Sequence, residues 1–315
     1  MSKVLITGGC GFIGSAIARR LVSEGYAVRV IDNLYRNDTS NIQDLIDKGS
    51  VEFVEGDIRY QAKVMSVCDD VEYIFHEAAD CINKSLKNPT ESFDTNVLGT
   101  TNVFEAAKLT GVKKVIYASS ASVYGDPDEL PMREDGPLKP ITPYCISKVT
   151  VERIADFYAR YHGVDSIGFR YFNVYGPRQN VDAFYTNVVI LFLKRIMNGD
   201  APVIKGDGKQ SMDFIHVDDI ARANIMALES DVRNEVFNLG TNKSTTIAEL
   251  ARILLEACGK PDLKPEFTGE TFMVKERRAS VEKAKDMLGW EPEIDVEEGL
   301  KELAKDIINN PRKYQ

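Results

Sequence analysis

What the chain lacks bounds it first. No apolar run approaches the length of a membrane span; the densest, residues 188–193, stops at Lys194. Basic residues are in deficit: the formal net charge is −9, and a nucleic-acid partner would need a basic surface. The three histidines (76, 162 and 216) lie far apart and show no metal-ligand spacing, so no metal is expected. The five cysteines (10, 68, 81, 145 and 258) are odd in number and form no C-x-x-C pair, as reduced thiols of a cytoplasm do. Met1-Ser2-Lys3 runs straight into an apolar stretch, which argues against a signal peptide. Repeats and low-complexity segments are missing too. The expectation is a cytoplasmic globular chain, long enough at 315 residues for a large core in one body or two interleaved lobes.

What is present begins at the N-terminus. Val4-Leu5-Ile6-Thr7 reads as a buried strand, Gly8-Gly9-Cys10-Gly11-Phe12-Ile13-Gly14 as a turn, and residues 15–24 as a helix with apolar positions at Ile17, Ala18, Leu21 and Val22. Strand, glycine turn and helix in that order form the context of a dinucleotide site. Gly8 permits the tight turn, Gly11 lets backbone approach a pyrophosphate, and Gly14 lets helix pack on strand. The spacing is G-x-x-G-x-x-G, not the commoner G-x-G-x-x-G. A second strand over residues 26–31 ends at Asp32. A carboxylate there accepts from a ribose 2′-hydroxyl and repels a 2′-phosphate, which predicts NAD over NADP.

Alternation of strand and helix continues through the first half. Strands are expected at residues 51–56, 73–76, 113–118 and 166–170, with a helix at 61–68 and a long one starting at Asn88-Pro89. Asp57-Ile58 could frame an adenine, the carboxylate accepting from the exocyclic amine while Ile58 packs on the ring. Asn96 faces apolar neighbours and needs hydrogen-bond partners there. Past residue 170 the pattern loosens into a turn at 173–178, a helix at 187–197, a short strand at 201–204, a last core strand at 235–240, and helices at 247–258 and 281–288. The fold class is therefore α/β: a Rossmann-type doubly wound parallel sheet with a smaller interleaved C-terminal lobe. Its expected division is residues 1–172 plus 218–242 for the dinucleotide and 173–217 plus 243–315 for substrate.

Ser119-Ser120-Ala121-Ser122-Val123-Tyr124-Gly125 is followed by Tyr144-Cys145-Ile146-Ser147-Lys148. Tyr144 and Lys148 are four apart and share one helix face. A phenol is too weak an acid to serve as a base at neutral pH unless an ammonium beside it favours the phenolate. With a serine hydroxyl to share the proton, the three suit oxidation of an alcohol or reduction of a ketone. His76 and His216 are expected to satisfy backbone groups, and Cys145 to pack in the core.

These motifs occur in order with His76-x-Ala78-Ala79, Asn96-Val97-x-Gly99-Thr100, Arg170-Tyr171-Phe172-Asn173-Val174-Tyr175-Gly176-Pro177 and Asp213-Phe214-Ile215-His216-Val217. Together they resemble the extended short-chain dehydrogenase/reductase family, in its NAD-dependent sugar-nucleotide epimerase/dehydratase group, over essentially the whole chain. The resemblance implies Tyr144 as base, Lys148 as its modulator and ribose contact, and Ser120 as hydroxyl partner. It puts NAD along Gly8, Gly11, Phe12, Ile13, Gly14, Asp32, Asn33, Asp57, Ile58, Ala78, Ala79, Asn96, Tyr144, Lys148 and Tyr171. Substrate would meet Ser120, Ser122, Tyr144, Asn173, Asn187, Val188 and Arg277. A homodimer through the helices from Glu91 and Ser147 is implied as well.

Family dehydratases and decarboxylases resemble one another in a glutamate where this chain has Ser122, and a serine cannot remove a carbon-bound proton. A nucleotide-sugar 4-epimerase, of UDP-hexose type, is therefore expected, acting through a transient 4-keto sugar. A dehydratase or ketoreductase, an epimerase of a non-UDP substrate, and a silent NAD-binding regulator stay open. Two family arginines for the diphosphate are absent, Met212 standing at one position and Phe267-Thr268-Gly269-Glu270 at the other. Either Arg277, Arg278, Lys275, Lys209 or Arg178 replaces them, or the substrate is no ordinary sugar diphosphate. A loop before Ser85 is also one residue short.

Overall fold

The computed structural model describes residues 2–179, 188–269 and 275–310. Seven parallel strands form its central sheet: β1 Lys3–Thr7, β2 Ala27–Asp32, β3 Val51–Glu55, β4 Tyr73–His76, β5 Lys114–Ser120, β6 Ser166–Tyr171 and β7 Glu235–Leu239. Their spatial order is β7-β6-β5-β4-β1-β2-β3. Strands covered on both faces need apolar residues at every position, as Val4, Leu5 and Ile6 and then Val115, Ile116 and Tyr117 supply.

Helix α1, Phe12–Ser23, lies on one face of the sheet with α5, Val217–Glu229, joined by Ile17, Leu21, Ile220 and Phe237. The other face carries α2, Gly99–Thr110, and α3, Pro143–His162, which share Val103, Phe104, Val151 and Tyr158. Chain order reverses between β1 and β4, so the crevice for ligands opens at the carboxyl ends of those strands. A second apolar cluster, built on α4 Val188–Met197, α6 Ile247–Ala257 and α7 Val296–Asn309, packs Phe192, Phe214, Leu250 and Leu300 and closes the crevice from the far side. The doubly wound α/β class with a smaller C-terminal subdomain is borne out.

Details differ from the sequence pattern. The supposed turn at 173–178 starts as a strand, Asn173–Tyr175, paired in parallel with Phe214–His216. The helix from Pro89 is interrupted at Asp94–Leu98 by one wide π turn. At its middle sits Asn96, buried between two neighbours: its Oδ1 accepts from Asp80 N at 2.7 Å and its Nδ2 donates to Ser147 Oγ at 2.9 Å. Helices α5 and α7 escape the periodicity reading, although His216 and Asp295 cap them. Among the described residues no helix is long and apolar enough to cross a membrane, and no group of three or more His, Cys, Asp or Glu could hold a metal ion.

Candidate active site

A cavity of about 890 Å³ runs from the glycine turn to α6, at the upper end of the range for small-molecule sites. At its first end β1 delivers Gly8 with φ +70°, where a Cβ would stand 2.7 Å from Ala78 N. A Cβ on Gly14 would stand 2.3 Å from Gly8 O, so α1 lies directly on the turn. No side chain caps α1, whose first residues Phe12 and Ile13 line the cavity, leaving the helix N-terminus available to an anion. Ala78, Ala79 and Asn33 line the same end.

Asp32 is fixed by backbone: Oδ2 accepts from Cys10 N and Oδ1 from Leu34 N, both at 3.0 Å. Burial raises its pKa against the pull of those bonds. Ile58 lines the cavity beside Gly56 and Arg59, but Asp57 does not. Its carboxylate accepts from Asn33 Nδ2 at 2.9 Å and from Arg59 Nη2 at 2.7 Å. Burial acts to raise the Asp57 pKa, and these bonds outweigh it and hold the group below its usual range. Asp57 is thus engaged by protein partners, while Arg59 lines the cavity. Asn96 also lies off the cavity, where its amide tethers α3 to the Asp80 loop.

The middle of the cavity holds Ser120, Tyr144 and Lys148. Ser120 ends β5, and its Oγ accepts from Ser122 N at 3.2 Å, starting a short helix at Ala121–Tyr124. Thr142 caps α3 and Pro143 opens it, which points Tyr144 and Lys148 toward the strand ends. Ser85 Oγ accepts from Tyr144 N at 3.1 Å. Lys148 donates from Nζ to Ala118 O at 2.8 Å and lies 5.8 Å from the Tyr144 ring centroid. Burial pushes the Lys148 pKa down to about 8, against the raising charges of Glu77 and Glu152.

Ser122 lines this stretch with a buried Oγ that has no hydrogen-bond partner among the described residues. Tyr171 lines it too, hydrogen-bonded to Glu77 at 2.9 Å. Behind it, Glu152 on α3 makes a bidentate ion pair with Arg170 (2.8 and 2.9 Å) and accepts from Ser119 Oγ at 2.6 Å. His76 Nδ1 is 2.7 Å from Thr7 Oγ1 and its Nε2 2.8 Å from Thr100 Oγ1, and burial drives its pKa to about 3. His216 Nδ1 accepts from Asp218 N at 3.2 Å. Cys145 is buried.

The far end is lined by Asn173, Val188, Met212, Phe214 and Arg277. Asn173 donates from Nδ2 to Asp213 O at 3.0 Å. Asn187 falls outside the described residues, as does Glu270. Of the cations considered for a diphosphate, Arg277 alone lines the cavity. Arg278 pairs with Glu276 at 3.6 Å, and Lys209 is exposed beside Asp207. Arg195 joins Arg277 on the wall, held by Ala201 O at 2.6 Å. Its signal was the spacing Val188, Leu191, Phe192, Arg195, one face of α4 turned to the cavity.

A glycine cradle that a single Cβ would fill, a helix N-terminus and a strand-end carboxylate together suit a dinucleotide; a phenol, an ammonium and two hydroxyls suit proton transfer at an alcohol. The sequence profile of the NAD dependent epimerase/dehydratase family matches residues 4–240. A putative UDP-glucose 4-epimerase of Methanocaldococcus jannaschii is 37% identical over 318 residues, covering 98% of this chain and 99% of that one. The UDP-glucose 4-epimerase of Thermotoga maritima, solved with UDP-glucose, superposes with a TM-score of 0.93 at 35% identity, covering 98% and 99% of the two chains. A dTDP-glucose 4,6-dehydratase from Streptomyces venezuelae, solved with NAD bound, gives 0.92 at 28% identity over 99% of each.

Proposed function

The chain belongs to the NAD dependent epimerase/dehydratase family, and from that premise we propose that it is a nucleotide-sugar 4-epimerase, with a UDP-hexose as substrate. The observation that carries this reading is the single cavity on which Ser120, Tyr144 and Lys148 stand between a dinucleotide cradle and Arg277. NAD, when bound, supplies a reversible acceptor for the hydrogen of the sugar C4. Gly8, Gly11 and Gly14 would give it room, Asp32 would accept from its ribose hydroxyls, and Ile58 and Arg59 would hold its adenine end. Tyr144 removes the proton of the sugar 4-hydroxyl and later returns it, while Ser120 shares that proton and steadies the oxygen. The Lys148 ammonium, fixed on Ala118 O, favours the phenolate. Asn173 and Val188 hold the 4-keto sugar within reach of both faces, and Arg277 with Arg195 neutralises the diphosphate.

Ser122 supports epimerisation over dehydration. Its unpartnered Oγ can bind a sugar hydroxyl but lacks the basicity to remove a carbon-bound proton. The test is to incubate purified protein, without added cofactor, with UDP-, GDP-, CDP- and dTDP-sugars and to follow anomeric protons by NMR. Inversion at C4 of a UDP-hexose is expected. Loss of water would indicate a dehydratase, and no conversion at all would remove nucleotide sugars as substrates.

A further inference from the structure

Glu77 is a carboxyl on the cavity wall for which the chemistry above has no use. Its backbone N–H donates to Thr7 O at 3.1 Å, which pins it at the end of β4 beside the glycine turn. Its Oε1 accepts from the Tyr171 hydroxyl at 2.9 Å, and that hydroxyl in turn accepts from Asn224 Nδ2 at 3.0 Å. Burial, with the Glu77 charge adding to it, keeps Tyr171 protonated, so the phenol remains a donor.

The β4–β5 register pairs His76 with Tyr117, which sets Glu77 next to Ala118, and the Ala118 carbonyl accepts from Lys148 Nζ at 2.8 Å. The titratable groups around Lys148 are His76 and Glu77 on β4, Tyr144 and Glu152 on α3, and, one step behind on β6, Arg170 and Tyr171. His76 is neutral, and the charge of Glu152 is already matched by the bidentate Arg170. Among the described residues Glu77 makes no ion pair.

The geometry points to Glu77 as a positioning residue: its carboxylate, held by the Tyr171 hydroxyl, keeps the buried Lys148 ammonium protonated in the working enzyme. The two groups act as a pair within the cavity. Burial raises Glu77 to about 7 and lowers Lys148 to about 8, each charge opposing the other's desolvation. Between those values both are ionised, and the pair stands ready for Tyr144.

This inference rests on the epimerase reading, and its test separates the two. Wild-type enzyme that epimerises no nucleotide sugar defeats that reading. If epimerisation occurs, the kcat–pH profile of Glu77→Gln decides the present point. The amide oxygen still accepts from Tyr171, but the charge is gone, so the alkaline limb should move down by about one pH unit. That amounts to about a fivefold loss at pH 8 relative to each enzyme's plateau. Glu77→Asp, which keeps the charge, should restore most of the limb. Nitrogen-15 NMR titration of Lys148 Nζ reads the same shift without turnover. If Glu77→Gln does not fold, Tyr171→Phe should move the limb in the same direction by less, since Glu77 then holds its proton to higher pH. Coincident limbs and Nζ titrations in wild type and the folded variant overturn the assignment, as does Glu77→Asp shifting as far as Glu77→Gln.

Discussion

The two ends of the cavity are built differently. The end with the glycine turn, Tyr144 and Lys148 grows from the strand ends of one continuous parallel sheet, where backbone groups hold the Asp32 and Lys148 side chains and the Ser85 hydroxyl accepts from Tyr144 N. The far end is assembled from α4, α6 and strands of two or three residues, with Met212 and Ile247 on its wall. On the proposed reading, change at the first end would cost the reaction, and change at the other would alter which nucleotide or sugar is accepted.

The first way to break that contrast is at its chemical end. Tyr144→Phe removes the base but little volume, and kcat should fall by about 10²–10⁴-fold, with dinucleotide binding, read by fluorescence titration, retained. Equal loss of binding would mean that Tyr144 serves the cofactor only. At the substrate end, Arg277→Met should act on KM, raising it about 10–100-fold with kcat nearly unchanged, because a charged hydrogen bond to phosphate is lost from ground and transition states alike. A selective fall in kcat there would erase the division between the ends.

Stability should be divided in the same way. Glu152→Ala leaves Arg170, with 5% of its side chain exposed, buried without its carboxylate, and should cost about 3–5 kcal/mol in denaturant unfolding. Met212→Ala at the soft end should cost about 2–3 kcal/mol. Titration gives a milder probe. Lys148 must carry its proton to act on Tyr144, and burial lowers its pKa to about 8, so kcat should decline as pH rises through that value. The smallest effect concerns assembly: α3 exposes Ile146, Phe157 and Tyr161 along one side, and Phe157→Glu should shift a homodimer toward monomer in sedimentation with the folded state intact.

The sheet was legible because its strands are short apolar runs bounded by glycine or polar residues, and its site because Gly8, Asp32, Tyr144 and Lys148 depend on local spacing. Asp57 and Asn96 were harder. Their protein partners, Asn33 and Arg59 for Asp57 and Asp80 with Ser147 for Asn96, are fixed only when the chain has folded. Arg195 is hidden in a helix that reads as plain core, and α5 and α7 announce themselves through their caps, His216 and Asp295, which hydrophobic period alone does not show. Long-range pairing also turned Asn173–Tyr175 from turn into strand.

The central claim is that one alcohol carbon is oxidised and then reduced again within this single cavity. A UDP-hexose carrying deuterium at C4, converted in ordinary water and followed by NMR and mass spectrometry, tests it most directly. The account predicts a 4-epimer that keeps its deuterium at C4. Deuterium lost to solvent, or found at C6 of a dehydrated product, would contradict it.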